Sequence, residues 1–175
     1  MIRDTILPDE LVEAARRVVE ANRAAGRRVA LAESCTGGLV AAAITEIPGS
    51  SDVLDRSFVT YSNAAKQQVL KVSDDVLDTF GAVSVATAWR MAQGLLEQTD
   101  ADVGVAITGI AGPGGGSDKK PVGTVVFARA ERNADPANVV ADRHEFGDLG
   151  RGGIRLQAAL CALELLMPGS PAGEP

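Results

Sequence analysis

One lysine, Lys66, is predicted to lie at a helix start, a position that could let it act as a base. Tyr61 ends a stretch of β-branched and aromatic residues suited to a strand, and Lys66 falls in the first turn of the helix predicted after it. The positive end of a helix dipole disfavours a charged lysine by a few tenths to about 1 kcal/mol, and burial acts in the same direction. A lysine that is neutral near pH 7 can accept a proton from a serine hydroxyl. The pattern therefore indicates a Ser/Lys site, and a solvated surface lysine is the alternative interpretation.

The residues alone leave the nucleophile of such a site open. The candidates are Ser34, Ser50, Ser51 and Ser62. Because His144 is the only histidine, metal sites built from histidine clusters are excluded and a base other than histidine is favoured. Cys35 lies in a suggestive turn, but a cysteine nucleophile needs a nearby base, so we interpret it as a small turn residue.

Two glycine-rich turns follow predicted strands. The first, residues 34–38, leads into a helix, where free N–H groups and the helix dipole suit a phosphate or a developing oxyanion. The second, residues 108–116, is not a Walker A loop, because no Lys-Ser or Lys-Thr follows its last glycine. It also lacks the helix that a dinucleotide-binding fingerprint needs. The alternatives are a tight turn capped by Thr36 and a mobile loop.

Alternating helices and strands must position these residues. Helices are predicted at 8–25, 39–47, 63–70, 84–98 and 153–167, with a short helical turn at 50–54, and strands at 29–33, 57–61, 103–107, 123–130 and 139–146. Asn63 and Ser84 are the predicted N-caps of their helices. Since the last two strands are predicted to form a hairpin, we expect a single three-layer α/β/α domain with a mixed sheet over residues 1–167, followed by a flexible tail at 168–175.

The composition is that of one ordinary globular domain, with 175 residues, 46% hydrophobic and 23% charged. Two cysteines in so long a chain give no disulfide framework and indicate a reducing compartment. A net charge of -6 argues against a broad contact with nucleic acid or anionic lipid, but it is compatible with a local basic pocket. No apolar run approaches the roughly 18 residues that span a bilayer, and the start of the chain lacks the order of a signal peptide. We therefore expect a cytoplasmic protein.

Six sequence blocks occur in a fixed order along the chain: 32–38 (AESCTGG), 48–51 (PGSS), 58–63 (FVTYSN) with Lys66, 81–84 (GAVS), 109–115 (GIAGPGG) and 120–124 (KPVGT). In this order the blocks resemble the CinA C-terminal domain family, whose characterised members are nicotinamide-nucleotide amidases. The resemblance implies hydrolysis of the carboxamide of nicotinamide mononucleotide to nicotinate mononucleotide and ammonia, without metal or cofactor.

The resemblance also implies roles for individual residues. Ser51 would be the nucleophile, Lys66 the general base, and Tyr61 its hydrogen-bonding partner or proton relay, with Ser50 capping the short turn. Arg155 would clamp a phosphate or carboxylate, although it could also cap a sheet edge or pair with a neighbouring aspartate. The implied substrate-binding residues are Ser34, Thr36, Gly37, Thr108, Gly109 and Gly112, besides Arg155.

The sequence departs from the family pattern near Asp148, where Leu149 and Gly150 separate Asp148 from Arg151, so Arg151 receives no role.

Many relatives carry a further N-terminal domain, and because the first helix begins at about Pro8 we expect that domain and its activity to be absent. By resemblance we also expect a homo-oligomer. Two rival interpretations remain: a catalytically silent nucleotide- or partner-binding module linked to competence or DNA damage, and an amidase for another pyridine or purine carboxamide.

Overall fold

A five-stranded mixed sheet lies between two layers of helices in the computed structural model, which describes residues 5–169. Strand order in the sheet is β2-β1-β3-β4-β5, with β1 parallel to β2 and β3 and the other pairs antiparallel. The strands are β1 (Val29–Glu33), β2 (Leu54–Val59), β3 (Val103–Gly109), β4 (Thr124–Glu131) and β5 (Val140–Glu145). The helices are α1 (Asp9–Ala24), α2 (Leu39–Thr45), α3 (Asn63–Leu70), α4 (Asp74–Phe80), α5 (Val85–Glu97) and α6 (Gly150–Leu165), with 3-10 turns at Ser50–Asp52 and Pro136–Asn138.

The two faces of the sheet carry separate hydrophobic cores. Val29 and Leu31 of β1 point to the face covered by α1, α2 and α6, whereas Ala30 and Ala32 point to the face covered by α3, α4 and α5. All five residues of β1 are buried, as expected for a strand covered on both sides. The predicted three-layer α/β/α fold with a mixed sheet is therefore confirmed.

The elements differ from the sequence prediction mainly around the sheet edge. β2 begins and ends earlier than predicted, because this half-exposed edge strand includes Asp55 and Arg56, which do not fit an apolar pattern. The seven-residue helix α4 was not predicted, and Ser62, not Asn63, caps α3. The N-cap at Ser84 is confirmed. Of the predicted tail, residues 170–175 lie outside the described residues.

Within residues 5–169, none of the helices has the length and apolar content that a membrane-spanning segment needs.

Helix α3 packs closely on α5 at Gly94. A Cβ atom at this position would overlap the backbone carbonyl of Leu70 at the end of α3. We expect Gly94→Ala to lower the free energy of unfolding by about 1–3 kcal/mol through overpacking. Urea unfolding measures this change. The matched control is Gly152→Ala in α6, where a Cβ would meet no atom within 4 Å, and stability should stay unchanged or rise by up to about 1 kcal/mol. Equal destabilisation by both substitutions would contradict the overpacking.

Candidate active site

A buried lysine lies where the parallel strands β1 and β2 end. Lys66 is only 1% exposed, and its Nζ atom lies 3.0 Å from Ser34 Oγ, 2.9 Å from the Thr60 carbonyl oxygen and 3.4 Å from the Tyr61 carbonyl oxygen. Ser34 directly follows β1, and Thr60 directly follows β2. Since the two strands are parallel, their carboxyl ends meet at one edge of the sheet and bring the lysine and the serine together.

The hydrogen bonds around Lys66 suit a neutral amine. Burial lowers the pKa of Lys66 below its usual 10.5, and this outweighs the opposing effect of Cys35. A neutral amine has two N–H groups and one lone pair. If the two carbonyl oxygens accept the N–H groups, the lone pair faces the hydroxyl of Ser34. The arrangement can remove a proton from Ser34 and make it a nucleophile.

The turn after Ser34 is closed by a carboxylate of the chain itself. The buried Glu33 side chain accepts hydrogen bonds from the N–H groups of Gly38 at 3.0 Å, Val40 at 3.2 Å and Ala41 at 2.9 Å. The sequence had suggested that the N–H groups at the start of α2 could bind a phosphate. Because Glu33 already accepts their hydrogen bonds, they are not free to do so. Gly38, with φ of +93°, occupies the N-cap position that the alternative interpretation gave to Thr36.

The structure does not bring Ser51 to Lys66. Ser51 is exposed in the 3-10 turn before β2, close to the Gly49 carbonyl that accepts a hydrogen bond from Arg23 of α1. The Lys66 amine lies at the opposite end of β2, where it contacts the Thr60 carbonyl. The six residues of β2 separate these two ends by about 20 Å, at roughly 3.3 Å per residue. Ser50 lies at the same distant end. Ser62 accepts the Lys66 backbone N–H at its carbonyl, and its hydroxyl accepts from Ala65 N–H. Of the candidate serines, Ser34 is therefore the one whose hydroxyl contacts the amine of Lys66.

Tyr61 contacts Lys66 through its backbone, and its side chain points elsewhere. The Tyr61 side chain is exposed, and its hydroxyl accepts a hydrogen bond from Arg151 Nη2 at 2.9 Å. Arg151 Nη1 also donates to the Gly112 carbonyl at 2.7 Å. Sequence reasoning gave Arg151 no role because of the two residues inserted before it. The structure places it beside the pocket because α6 begins at Gly150.

Arg155 holds the backbone of the first glycine-rich turn. Its Nε donates to the Cys35 carbonyl at 3.2 Å and its Nη2 to the Thr36 carbonyl at 2.9 Å. Among the described residues it forms no salt bridge with Asp148. Neither of the alternatives weighed from the sequence describes this contact.

A pocket of about 270 Å³ opens beside the Ser34–Lys66 pair. Lys66 and Arg151 line it, and no Asp or Glu does, although the whole chain carries a net charge of -6. The local basic pocket that the composition allowed is therefore present, with Arg151 supplying its positive charge. Of the predicted site residues, Ser34, Tyr61, Lys66, Thr108, Gly109 and Gly112 line it, whereas Ser51, Thr36, Gly37 and Arg155 do not.

The second glycine-rich segment forms the opposite wall of this pocket. Within residues 5–169, no acceptor receives a hydrogen bond from the N–H groups of Ala111, Gly112, Gly114 or Gly115. Lys120, which follows the segment in the same loop, donates to the Phe80 carbonyl at 2.8 Å and anchors the loop beyond it. The segment thus offers several backbone donors on an anchored loop, which suits an anionic group.

Cys35 also lines the pocket, but its thiol is poorly suited to be a nucleophile. Burial raises the pKa of the Cys35 thiol to about 11, although nearby N–H groups and Lys66 act in the opposite direction. The thiol therefore stays protonated near pH 7, where the thiolate would be needed for attack.

A larger hollow of about 410 Å³ lies between α5 and the connection from β4 to β5. Its arginines are engaged: Arg132 donates to the carbonyls of Leu96, Thr99 and Ala101, and Arg90 pairs with Glu97 at 3.6 Å. The pocket at Lys66 is thus the better candidate for chemistry.

These observations define an α/β protein with a buried serine–lysine pair facing a basic pocket. Residues 11–168 match the sequence model of the CinA C-terminal domain, and the chain belongs to that family.

Named relatives and a solved structure agree with this membership. The chain is 51% identical over 143 residues to the nicotinamide-nucleotide amidohydrolase PncC of Enterobacter agglomerans, which covers 81% of this chain and 84% of that protein. It is 46% identical over 157 residues to PncC of Escherichia coli K12, covering 90% and 93%. The crystal structure of the competence/damage inducible protein CihA from Agrobacterium tumefaciens superposes with a TM-score of 0.88 at 50% identity, covering 93% and 96%. Two longer relatives, each named CinA-like protein, are matched over 25% and 36% of their length.

The burial of Lys66 predicts a pH-dependent stability. In the unfolded chain Lys66 keeps its proton up to about pH 10.5, whereas in the folded chain it loses the proton at the lowered pKa. Between these two pKa values the unfolded chain binds more protons, so the free energy of unfolding rises with pH. Each tenfold change in proton affinity contributes about 1.4 kcal/mol. Urea unfolding from pH 7 to 10 should show a steeper rise for the wild type than for Lys66→Met. Parallel curves for the two proteins would contradict a lowered pKa.

Proposed function

We propose that the protein is an amidohydrolase that converts nicotinamide mononucleotide to nicotinate mononucleotide and ammonia, with Ser34 as the nucleophile and Lys66 as the general base. The distance of 3.0 Å between Ser34 Oγ and the buried Lys66 Nζ carries this proposal. The similarity to nicotinamide-nucleotide amidohydrolases over most of the chain supports the choice of substrate.

The proposed chemistry begins with a proton transfer. Lys66 Nζ accepts the hydroxyl proton of Ser34 while Oγ attacks the carbon of the carboxamide, whose oxygen takes up the negative charge. When this intermediate collapses, the C–N bond breaks, and the leaving nitrogen takes the proton from Lys66 and departs as ammonia. The product is an ester of Ser34. Water then attacks the ester with Lys66 as base, and nicotinate mononucleotide leaves with Ser34 restored. No step requires a metal ion.

The phosphate of the substrate matches the opposite side of the pocket. Arg151 lines the pocket and forms no salt bridge with a carboxylate among residues 5–169. The free N–H groups of the segment from Ala111 to Gly115 lie beside it, and Arg151 contacts the Gly112 carbonyl. We assign phosphate binding to Arg151 and this segment, because guanidinium and backbone N–H groups are strong phosphate donors.

Tyr61 is better suited to shape the pocket than to relay a proton. The Tyr61 hydroxyl accepts a hydrogen bond from Arg151, whereas the amine of Lys66 contacts Tyr61 at its backbone carbonyl and not at its hydroxyl. Tyr61 would thus orient Arg151 toward the substrate. This assignment replaces the relay that the family resemblance implied.

The assignment of the nucleophile can be tested by ammonia release from nicotinamide mononucleotide in the presence of a chelator. We expect Ser34→Ala and Lys66→Met each to lower kcat by about 10³-fold or more, because each removes one member of a unit that transfers the proton. Ser51→Ala should retain activity close to that of the wild type.

Circular dichroism and thermal unfolding of each variant control for loss of the fold. Loss of activity in Ser51→Ala with activity kept in Ser34→Ala would contradict the proposal and restore Ser51 as the nucleophile. A wild-type protein that binds the nucleotide but releases no ammonia would make this a binding module. Activity that the chelator abolishes would overturn the metal-free mechanism.

The phosphate assignment predicts an effect on substrate binding. Arg151→Met should raise the KM for nicotinamide mononucleotide by about 10- to 100-fold, as expected for a lost charge-assisted hydrogen bond, and change kcat less. Inhibition by ribose 5-phosphate should weaken by a similar factor. Steady-state kinetics measure both values.

Arg16→Met is the matched control, because Arg16 is an exposed cation on α1, outside the residues that line the pocket. Its KM should equal that of the wild type. Unchanged KM and unchanged inhibition in Arg151→Met would remove Arg151 from the phosphate site.

A further inference from the structure

The turn that carries Ser34 is held by an arginine from the far end of the chain. Arg155 of α6 donates to two successive carbonyl groups, those of Cys35 and Thr36, at 3.2 and 2.9 Å. Cys35 and Thr36 are the two residues that follow the serine. Arg155 donates to backbone carbonyls and does not line the pocket, so its role differs from that of Arg151, which lines it.

Peptide geometry gives this contact a consequence for the pocket. In a trans peptide the C=O and the following N–H point in opposite directions, so the Thr36 N–H points away from Arg155. The N–H groups of Cys35 and Thr36 lie against the Cys35 thiol, which lines the pocket. Within residues 5–169, neither of these N–H groups donates to an oxygen acceptor. Because the thiol sulfur they face is only a weak acceptor, these two backbone donors next to the nucleophile can turn to a ligand oxygen.

The remaining N–H groups of the turn are already used. Gly37 donates to the Ser34 carbonyl at 3.0 Å, and Gly38 donates to the Glu33 carboxylate at 3.0 Å. The donors left over are therefore those of Cys35 and Thr36. Arg155 fixes the peptide group between these two residues from the side opposite to the pocket.

We propose that Arg155 is a positioning residue: by holding the Cys35 carbonyl, it fixes the Cys35–Thr36 peptide group and directs the Thr36 N–H toward the oxygen of the substrate carboxamide. The neighbouring Cys35 N–H belongs to the Ser34–Cys35 peptide, whose carbonyl accepts from Gly37, and it supplies the second donor. These two N–H groups stabilise the oxyanion that forms when Ser34 attacks. The inference rests on the proposed function, and it replaces the role of Arg155 as a clamp for a substrate phosphate or carboxylate.

The two roles of Arg155 differ in what a substitution changes. A positioning residue acts mainly on the transition state, so its loss lowers kcat and leaves KM nearly constant. A residue that binds the substrate phosphate acts on both the bound substrate and the transition state, so its loss raises KM. The measurement is steady-state ammonia release from nicotinamide mononucleotide by Arg155→Met and Arg155→Lys.

We expect both substitutions to lower kcat by about 10- to 100-fold, somewhat less than the 10²- to 10³-fold loss when an oxyanion donor is removed outright. KM should change by less than about threefold. Lysine should not restore the wild-type kcat, because a single ammonium does not reproduce the planar fork that reaches both carbonyls. Arg151→Met is the comparison variant, with the opposite pattern of a raised KM.

A second measurement separates positioning from general damage to the fold. Guanidinium ion at low, non-denaturing concentration should restore part of the kcat of Arg155→Ala, because it can occupy the vacated space and bond the two carbonyls. It should leave Arg151→Met and the wild type unchanged. Thermal unfolding of each variant reports on its folding.

Each outcome decides between the interpretations. A wild-type kcat in Arg155→Met overturns the positioning role while leaving the proposed function intact. A raised KM with an unchanged kcat returns Arg155 to the substrate clamp. A loss of kcat without rescue by guanidinium, together with a lowered unfolding temperature, reduces Arg155 to a structural role. Absence of activity in the wild type overturns the proposed function itself.

Discussion

The burial of one amine at the edge of the sheet is the constraint on which the site depends. A charged lysine removed from water costs several kcal/mol unless it is paired or fully hydrogen-bonded, and Lys66 has no carboxylate partner among the described residues. Its stabilising contacts are instead the carbonyls that follow β2 and the hydroxyl that follows β1. These contacts exist only while both strands end at the same level of the sheet. The same burial that disfavours the charged form prepares the amine to act as a base.

The two glycine-rich segments suit different anionic groups of the substrate, because they differ in which backbone N–H groups are free. The Ser34 turn is enclosed by charges of the chain itself, with Glu33 on its N–H side and Arg155 on its carbonyl side. Such a turn is rigid and has few donors left, which suits the small developing charge of an oxyanion. The segment from Ala111 to Gly115 keeps its N–H groups free and lies beside Arg151, which suits the larger charge of a phosphate.

Sequence reasoning succeeded where the local pattern carries the information. The strands β1, β4 and β5 follow from apolar runs in the sequence. The N-cap at Ser84 follows from a side chain that accepts a hydrogen bond from the N–H of Thr87 in its own helix. The edge strand β2 and the short helix α4 were misplaced or missed, because an edge strand with charged residues and a seven-residue helix give weak periodic signals. Family resemblance indicated the pocket wall but left the orientation of Arg151 and Arg155 undetermined.

By itself, the sequence determined the fold class, the family and the presence of a lysine in the first turn of a helix after a strand. Only the tertiary structure decided which serine meets that lysine. Ser34 is 32 positions from Lys66 and Ser51 is closer along the chain, yet the parallel pairing of β1 with β2 places Ser34 beside it and Ser51 at the other end. The reason is physical: a strand carries its two ends apart by its whole length, whereas parallel neighbours bring residues distant in sequence to one edge.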